Sequence, residues 1–386
     1  MAGIYIHIPF CRKACFYCDF HFSVSLGLQT EIVDAIVLEA KRRKTFLGDE
    51  VVETIYFGGG TPSVLTINEW DQILGALHEE FSIAKDAEIT VECNPDDLTE
   101  EYVKMLKLIG VNRLSVGIQS FNEEHLQWMN RSHTAEQSVN CIQLAADIGF
   151  KDITIDLIYG LPQLSTEEWK QTVKSALALP INHLSAYSLT LEENTPYHKL
   201  VAQTKYKRPD DDLASDHYDI LIKEINAHGW EHYEVSNFCK ADNYSRHNTA
   251  YWQGKKYLGL GPSAHSYDGV HRYWNISNNK EYLSLISSNN KTYEMEELTA
   301  INRLNEYLLT GLRAKWGVDT DVLKKEHDYD IDLRYAEELS YWLSVGWIER
   351  KGTNVRLSDK GLLFADFVAS ELFSTEEDDY SSQTSS

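Results

Sequence analysis

Cys11, Cys15 and Cys18 lie within eight residues, in the run His7-Ile8-Pro9-Phe10-Cys11-Arg12-Lys13-Ala14-Cys15-Phe16-Tyr17-Cys18. Three thiolates on a tight loop can hold three corners of a cubane iron–sulfur cluster, whose irons favour cysteine sulfur. Asp19 and Phe20 follow, so no fourth cysteine is at hand. One iron would then lack a protein ligand and stand open to a substrate or cofactor. Two other readings compete. A structural zinc site ordinarily closes with four ligands and favours CxxC pairs, and a disulfide needs an oxidising compartment. Cys93, Cys141 and Cys239 are scattered along the chain, which suits a reducing cytoplasm better than a disulfide framework.

Further polar residues stand at the ends of apolar runs. Phe57-Gly58-Gly59-Gly60-Thr61-Pro62 offers backbone N–H groups that a ligand can approach closely, although strand-to-helix turns are often glycine rich for structural reasons. Glu92 (Val91-Glu92-Cys93-Asn94-Pro95), Gln119 (Gly117-Ile118-Gln119-Ser120) and Asp156 (Thr154-Ile155-Asp156-Leu157) follow. Glu92 and Asp156 interrupt apolar runs, where an unpaired carboxylate is costly. A structural salt bridge explains either alone. It explains their common position at strand ends less well, because function in parallel βα folds gathers there.

The elements that must position these residues are short β-rich runs alternating with amphipathic stretches. Expected strands are 4–8, 53–57, 88–93, 113–118, 152–158 and 183–188. Expected helices include 31–44, 67–81, 100–109, 134–148 and 166–178, with apolar residues recurring on one helical face. Six such units imply an α/β fold with a parallel sheet and right-handed crossovers, either doubly wound or curled into a barrel short of eight strands. Residues 201–300 are rich in Tyr, Trp, His and Asn and lack a clean period. From 301 to 373 helices followed by a small hairpin (346–351 and 354–357) read as a winged-helix-type module, and 374–386 reads as a disordered tail.

Composition narrows the function classes. The 386 residues carry 59 Asp and Glu against 36 Lys and Arg, a net charge of −23. Such a field opposes non-specific binding to nucleic acid or anionic lipid. The winged-helix-like module does not escape this, with ten basic against thirteen acidic side chains between Ile301 and Leu372 and none of the basic clustering that phosphate contacts need. No apolar run approaches the ~18–20 residues of a membrane span. No targeting segment is read before the first strand, so a cytoplasmic location is expected, with peripheral membrane docking left open.

The cysteine spacing, with an aromatic residue before the last Cys, resembles the signature of the radical S-adenosylmethionine enzymes. The resemblance implies a partial (βα)6 barrel and a four-iron cluster whose open iron chelates the methionine moiety of S-adenosylmethionine. It also implies reductive cleavage of the sulfonium to a 5′-deoxyadenosyl radical. Within that superfamily, Tyr5-Ile6-His7-Ile8-Pro9-Phe10-Cys11 and the Gly58-Gly59-Gly60-Thr61-Pro62 turn resemble the branch around oxygen-independent coproporphyrinogen III oxidase. By that resemblance Tyr5, Gly59, Gly60, Thr61 and Glu92 contact S-adenosylmethionine, with Tyr17 beside the adenine. Gln119, Arg131 (Asn130-Arg131-Ser132-His133) and Asp156 match the remaining contacts; on residue type alone Arg131 reads as a surface arginine.

Two departures from the oxidases stand out: Phe20 replaces the last Cys of their CxxxCxxCxC pattern, and the N-terminus is short. Both are similar to the paralogous heme-chaperone group. His247-Asn248-Thr249-Ala250-Tyr251-Trp252 matches that group's HNxxYW motif, which implies heme as cargo, recipient apo-hemoproteins as partners, and a monomer or a heme-dependent dimer. Imidazole is a good axial iron ligand and Tyr251 and Trp252 offer flat apolar faces, so the motif points to His247 as heme ligand. On residue type alone a lone His among aromatics is a hydrogen-bonded core residue. His265, in Gly259-Leu260-Gly261-Pro262-Ser263-Ala264-His265, and Cys239 are lesser ligand candidates. The readings carried forward are heme binding and transfer, coproporphyrinogen III decarboxylation, and radical chemistry on another substrate.

Overall fold

The computed structural model describes residues 2–375. Strands β1 (Ala2–Ile8), β2 (Val52–Gly59), β3 (Ile83–Cys93), β4 (Arg113–Gln119), β5 (Asp152–Tyr159) and β6 (His183–Ser188) lie side by side in chain order, all parallel. Helices connect them, as parallel neighbours require. The strands are buried on both faces. On β1, Ile4, Ile6 and Ile8 pack outward with Ile32 and Ile36 of the first helix in the main core, while Tyr5 and His7 alternate to the interior of the curved sheet. β3 begins at Ile83 rather than at the expected Glu88. A register shift against β2 lets Lys85 and Asp86 continue the strand while remaining exposed.

Local signals fix the helix starts. Thr66 with Glu69, Thr134 with Gln137 and Ser165 with Glu168 form reciprocal capping boxes ahead of helices Ile67–Glu80, Ala135–Ile148 and Thr166–Ala178. Each satisfies two otherwise orphaned backbone or cap groups.

The aromatic-rich stretch extends this sheet at both edges. β7 (Glu231–Glu234) and β8 (Asn237–Cys239) add antiparallel beyond β6. β9 (Lys256–Leu260) adds parallel beside β1, followed by antiparallel β10 (His265–Tyr267), β11 (His271–Asn275) and β12 (Tyr293–Glu297). The result is one twelve-stranded sheet. A buried carboxylate fastens the β1 side. Glu39, 1% exposed on the first helix, accepts hydrogen bonds from Gly261 N, Asn275 Nδ2, the Tyr282 hydroxyl and the Thr292 hydroxyl, with Arg43 3.6 Å away.

Beyond residue 298 a second core forms. Leu304, Leu308 and Leu312 of helix Ala300–Leu312 pack on Val368 and Leu372. A three-stranded sheet of β13 (Val318–Asp319), β14 (Ile348–Lys351) and β15 (Asn354–Leu357) completes the unit. It is moored to both ends of the large sheet: Lys315 N donates to Tyr233 O of β7, and Arg272 of β11 pairs with Glu306. A cleft remains between the moorings. Of the tail expected at 374–386, residues 376 onward lie outside the described residues, and Ser374 exchanges two hydrogen bonds with Asn305.

Candidate functional site

The cysteine loop leaves the carboxyl end of β1 and is pinned at several points. Arg12 pairs with Asp97 at 2.8 Å, Asn130 Nδ2 donates to Ala14 O and Lys13 Nζ to Arg131 O, and Phe16 N donates to Met129 O. This holds all three cysteines over the strand ends. Thr61 donates its hydroxyl to Cys11 Sγ at 3.3 Å, and Arg131 Nη1 donates to Cys15 Sγ at 3.2 Å. Burial pushes the Cys11 thiol up to about 11 and the Cys18 thiol to about 12. A cationic centre must therefore displace their protons to be ligated. No three His, Cys, Asp or Glu side chains among the described residues converge as they would on a single ion; a cubane is a wider target, one sulfur to each iron.

Arg131 is far from a surface arginine. Besides Cys15 it reaches the Tyr17 hydroxyl at 3.4 Å, Asn94 Oδ1 at 2.8 Å and Gly117 O at 2.7 Å. It thereby ties the loop to the ends of β3 and β4. Tyr17 is half-buried beside it. Gln119 closes β4 with a left-handed backbone, φ 66°, where the register against β5 shifts.

The glycine turn serves packing as much as ligand approach. Gly59 has φ 103°, and a Cβ there would lie 2.6 Å from the His7 ring. A Cβ on Gly60 would lie 2.6 Å from Phe10 O. Only glycine lets the end of β2 lie this close to the start of the cysteine loop. Beneath it, Glu92 accepts a 2.7 Å hydrogen bond from the Tyr56 hydroxyl, and Tyr5 stacks on Tyr56 with centroids 6.1 Å apart.

Burial, with the Asp156 charge opposite, raises the Glu92 carboxyl to about 7 despite the Tyr56 bond. Burial also raises Asp156 to about 6, against the Ser185 hydroxyl and the Arg113 and Arg131 cations. A carboxyl raised on folding stabilises most below its unfolded pKa, and that stability is lost as pH rises through the folded value. Glu92→Gln should therefore gain on the parent between about pH 4.5 and 7, by on the order of 2–3 kcal/mol. Denaturant melts of both cluster-free proteins at pH 5 and 8 measure it, and a pH-independent difference would remove Glu92 as a proton-binding group of the fold.

The HNxxYW segment forms helix Arg246–Trp252, capped by Ser245 and anchored by Glu88, which accepts from the Arg246 and His247 amides. It plugs the amino-terminal end of the barrel interior. His247 is 2% exposed. Its Nδ1 bonds the Thr54 hydroxyl and its Nε2 the Tyr251 hydroxyl, both at 2.8 Å, and its ring stacks on Tyr56 at 5.1 Å. Burial holds its pKa down at about 3. Neither nitrogen is free to meet an iron in this arrangement. Cys239 is fully buried in β8, whereas His265 is exposed in the cleft.

The structure thus gathers Tyr5, Tyr17, Gly59, Gly60, Thr61, Glu92, Gln119, Arg131 and Asp156 with the three cysteines at one mouth, and sets His247 below it. Sequence reasoning missed Tyr56, Asn94 and Arg113. Tyr56 carries the available signal, because the alternation of β2 turns it to the same side as Thr54 and Gly58. The donor set fits a cubane with one open iron and a zwitterionic nucleoside beside it: three sulfurs, a glycine turn with no side chain in the way, its Gly60 amide already donated to Ile8 O, and the Glu92 and Asp156 carboxyls in reach. Bound together, those groups would supply one-electron cleavage of a sulfonium carbon–sulfur bond, with the chain's own residues positioning them.

Comparison with known proteins agrees with this geometry. Residues 5–176 match the Radical SAM superfamily, and residues 298–364 the HemN C-terminal domain. The chain is 32% identical to the heme chaperone HemW of Bacillus subtilis, over 95% of this chain and 98% of that one. It is 33% identical to HemW of Lactococcus lactis, over 92% and 93%. Coproporphyrinogen III oxidase (HemN) of Escherichia coli shares the fold, with a TM-score of 0.83 over 97% of this chain and 90% of that one at 24% identity. With near-complete coverage of two such relatives, a cysteine loop over the strand ends and the second core behind the cleft, the chain belongs to the HemW family of radical S-adenosylmethionine proteins.

Proposed function

We propose that the protein binds heme and passes it to apo-hemoproteins. In this reading Cys11, Cys15 and Cys18 hold a four-iron cluster, and S-adenosylmethionine lies among Tyr5, Tyr17, Gly59, Gly60, Thr61, Glu92, Gln119, Arg131 and Asp156. The observation that carries it is similarity to relatives named heme chaperones over both the barrel and the C-terminal unit. The recipients are apo-hemoproteins of the cytoplasm or of a membrane surface; among the described residues no helix is long and apolar enough to cross a membrane. Heme-loaded protein mixed with a panel of apo-hemoproteins should give the acceptor's absorption band and lose its own. Retention of heme against every acceptor would remove the transfer role.

Decarboxylation of coproporphyrinogen III is the rival enzymatic reading. Phe20 opposes it, since it is 68% exposed on the cleft wall where the oxidase pattern has Cys. Cluster-loaded protein with S-adenosylmethionine and a reductant should form no protoporphyrinogen IX above a protein-free control. Repeated turnover would restore the enzyme.

A further inference from the structure

The cleft between the large sheet and the C-terminal unit has a volume of about 1130 Å³, ample for a drug-sized ligand, whose pockets run to roughly 300–1,000 Å³. One wall is aromatic and continuous. Tyr251 packs edge-on to Tyr257 at 4.5 Å, and Tyr257 pairs across the strands with Tyr267. His265, two residues before Tyr267, shares its face of β10. The opposite wall brings Tyr307 and Trp316. Apolar faces on two sides suit a flat macrocycle.

Four histidines line this cleft: His7, His21, His265 and His327. His7 is spent on both nitrogens, with the Tyr5 hydroxyl at 3.2 Å and His21 O at 2.9 Å. His21 Nε2 is bonded to Asn279 at 2.7 Å. His327 lies flat on Tyr307, centroids 5.6 Å apart. His265 neither hydrogen-bonds nor stacks through its ring among the described residues, and it is exposed to the cleft. Arg303 lies on the rim with one guanidinium donor bonded, to Leu298 O, of the five an arginine carries. Arg272 is already paired with Glu306.

We propose that the heme lies in this cleft with His265 as its iron ligand and Arg303 as a propionate partner, and that His247 is a positioning residue. The proposal rests on the heme reading given under Proposed function. The bond from His247 Nε2 fixes the Tyr251 hydroxyl and so turns that ring to the cleft wall. Trp252, next in the same helix, lines the cleft as well. The HNxxYW segment thereby builds the floor on which the macrocycle rests, while the metal is met from β10. The position also sets the heme next to the cysteine loop, since Asp19, Phe20 and His21 line the same space.

The test is optical titration of the full-length protein with ferric and ferrous heme. His265→Ala should weaken binding at least roughly tenfold, on the order of the loss seen when even an outer partner of a metal site is removed, and shift the absorption band. Added imidazole should restore the band, which a misfolded variant would not allow. His78→Ala, at an exposed position of helix Ile67–Glu80 outside the cleft lining, should titrate as the parent does. The parent should prefer heme to its dimethyl ester, and Arg303→Gln should narrow that preference. If the parent binds heme while His265→Ala keeps both affinity and spectrum, the iron is held elsewhere and the assignment falls with the heme reading intact. If the unmodified protein binds no heme, the heme reading itself fails.

Discussion

Serine in place of Cys11, Cys15 or Cys18 is expected to leave a folded protein that holds no cluster. The loop owes its shape to contacts the sulfurs do not make: Arg12 with Asp97, Asn130 with Ala14 O, and Phe16 N with Met129 O. The fold therefore survives the exchange. The cluster does not, because only thiolate donates strongly enough to hold iron at these corners, and a hydroxyl stays protonated where burial already pushes a thiol to about 11 or 12. Iron and sulfide analysis after anaerobic reconstitution should fall from about four of each to near zero, and the paramagnetic signal of the reduced protein should vanish. Cys141→Ser is the control. Cys141 is buried against the helix carbonyl of Ser138, away from the loop, and should keep the full complement. A parent signal indifferent to S-adenosylmethionine would show that no iron is open to it.

His247→Ala is expected to be the most destabilising single change at the site. Removing the ring orphans the buried Thr54 hydroxyl and takes the partner of the half-buried Tyr251 hydroxyl. It also opens a cavity under Gly3 and Tyr56, both in contact with the ring. An unsatisfied buried group costs ~1–3 kcal/mol, and the cavity adds to that, so a loss of roughly 3–5 kcal/mol follows in denaturant melts of the cluster-free protein. His247→Gln, whose amide can offer both a donor and an acceptor, should recover part of it. A loss under ~0.5 kcal/mol for the Ala variant, the range of ordinary surface substitutions, would mean that the helix holding the motif is loosely seated and its closed packing is not the resting state.

The six βα units were legible because a strand buried on both faces shows as an apolar run and a capped helix carries its own start signal, as at Thr134 and Ser165. The edge strands of residues 231–297 were not, because runs of three to five residues bounded by Tyr, His and Asn carry no measurable period. The cysteine loop was legible from spacing alone. Arg131 was not: its partners Cys15, Asn94 and Gly117 converge from three separate segments, which residue type cannot reveal. His247 divides the two kinds of reasoning. Residue chemistry alone favoured a hydrogen-bonded core histidine, which is its setting here, whereas the motif pointed to iron. Tyr56 escaped notice because its hydroxyl acts through Glu92, two strand positions short of the glycine turn.

The carboxylate of Glu39 has a consequence for how the chain is made. Its four hydrogen-bond donors follow it by 222 to 253 residues, and β1 likewise waits for β9. Contacts that distant in sequence close late and slow the search for the native state. During synthesis the amino-terminal units emerge with a charge destined for the interior still unaccompanied and one flank of β1 unpaired, a state open to misassociation. The protein therefore reaches its native topology only after residue 292 has left the ribosome, and a nascent chain arrested before β9 should show protease-sensitive first and second strands even though every residue of the cofactor mouth has already been translated.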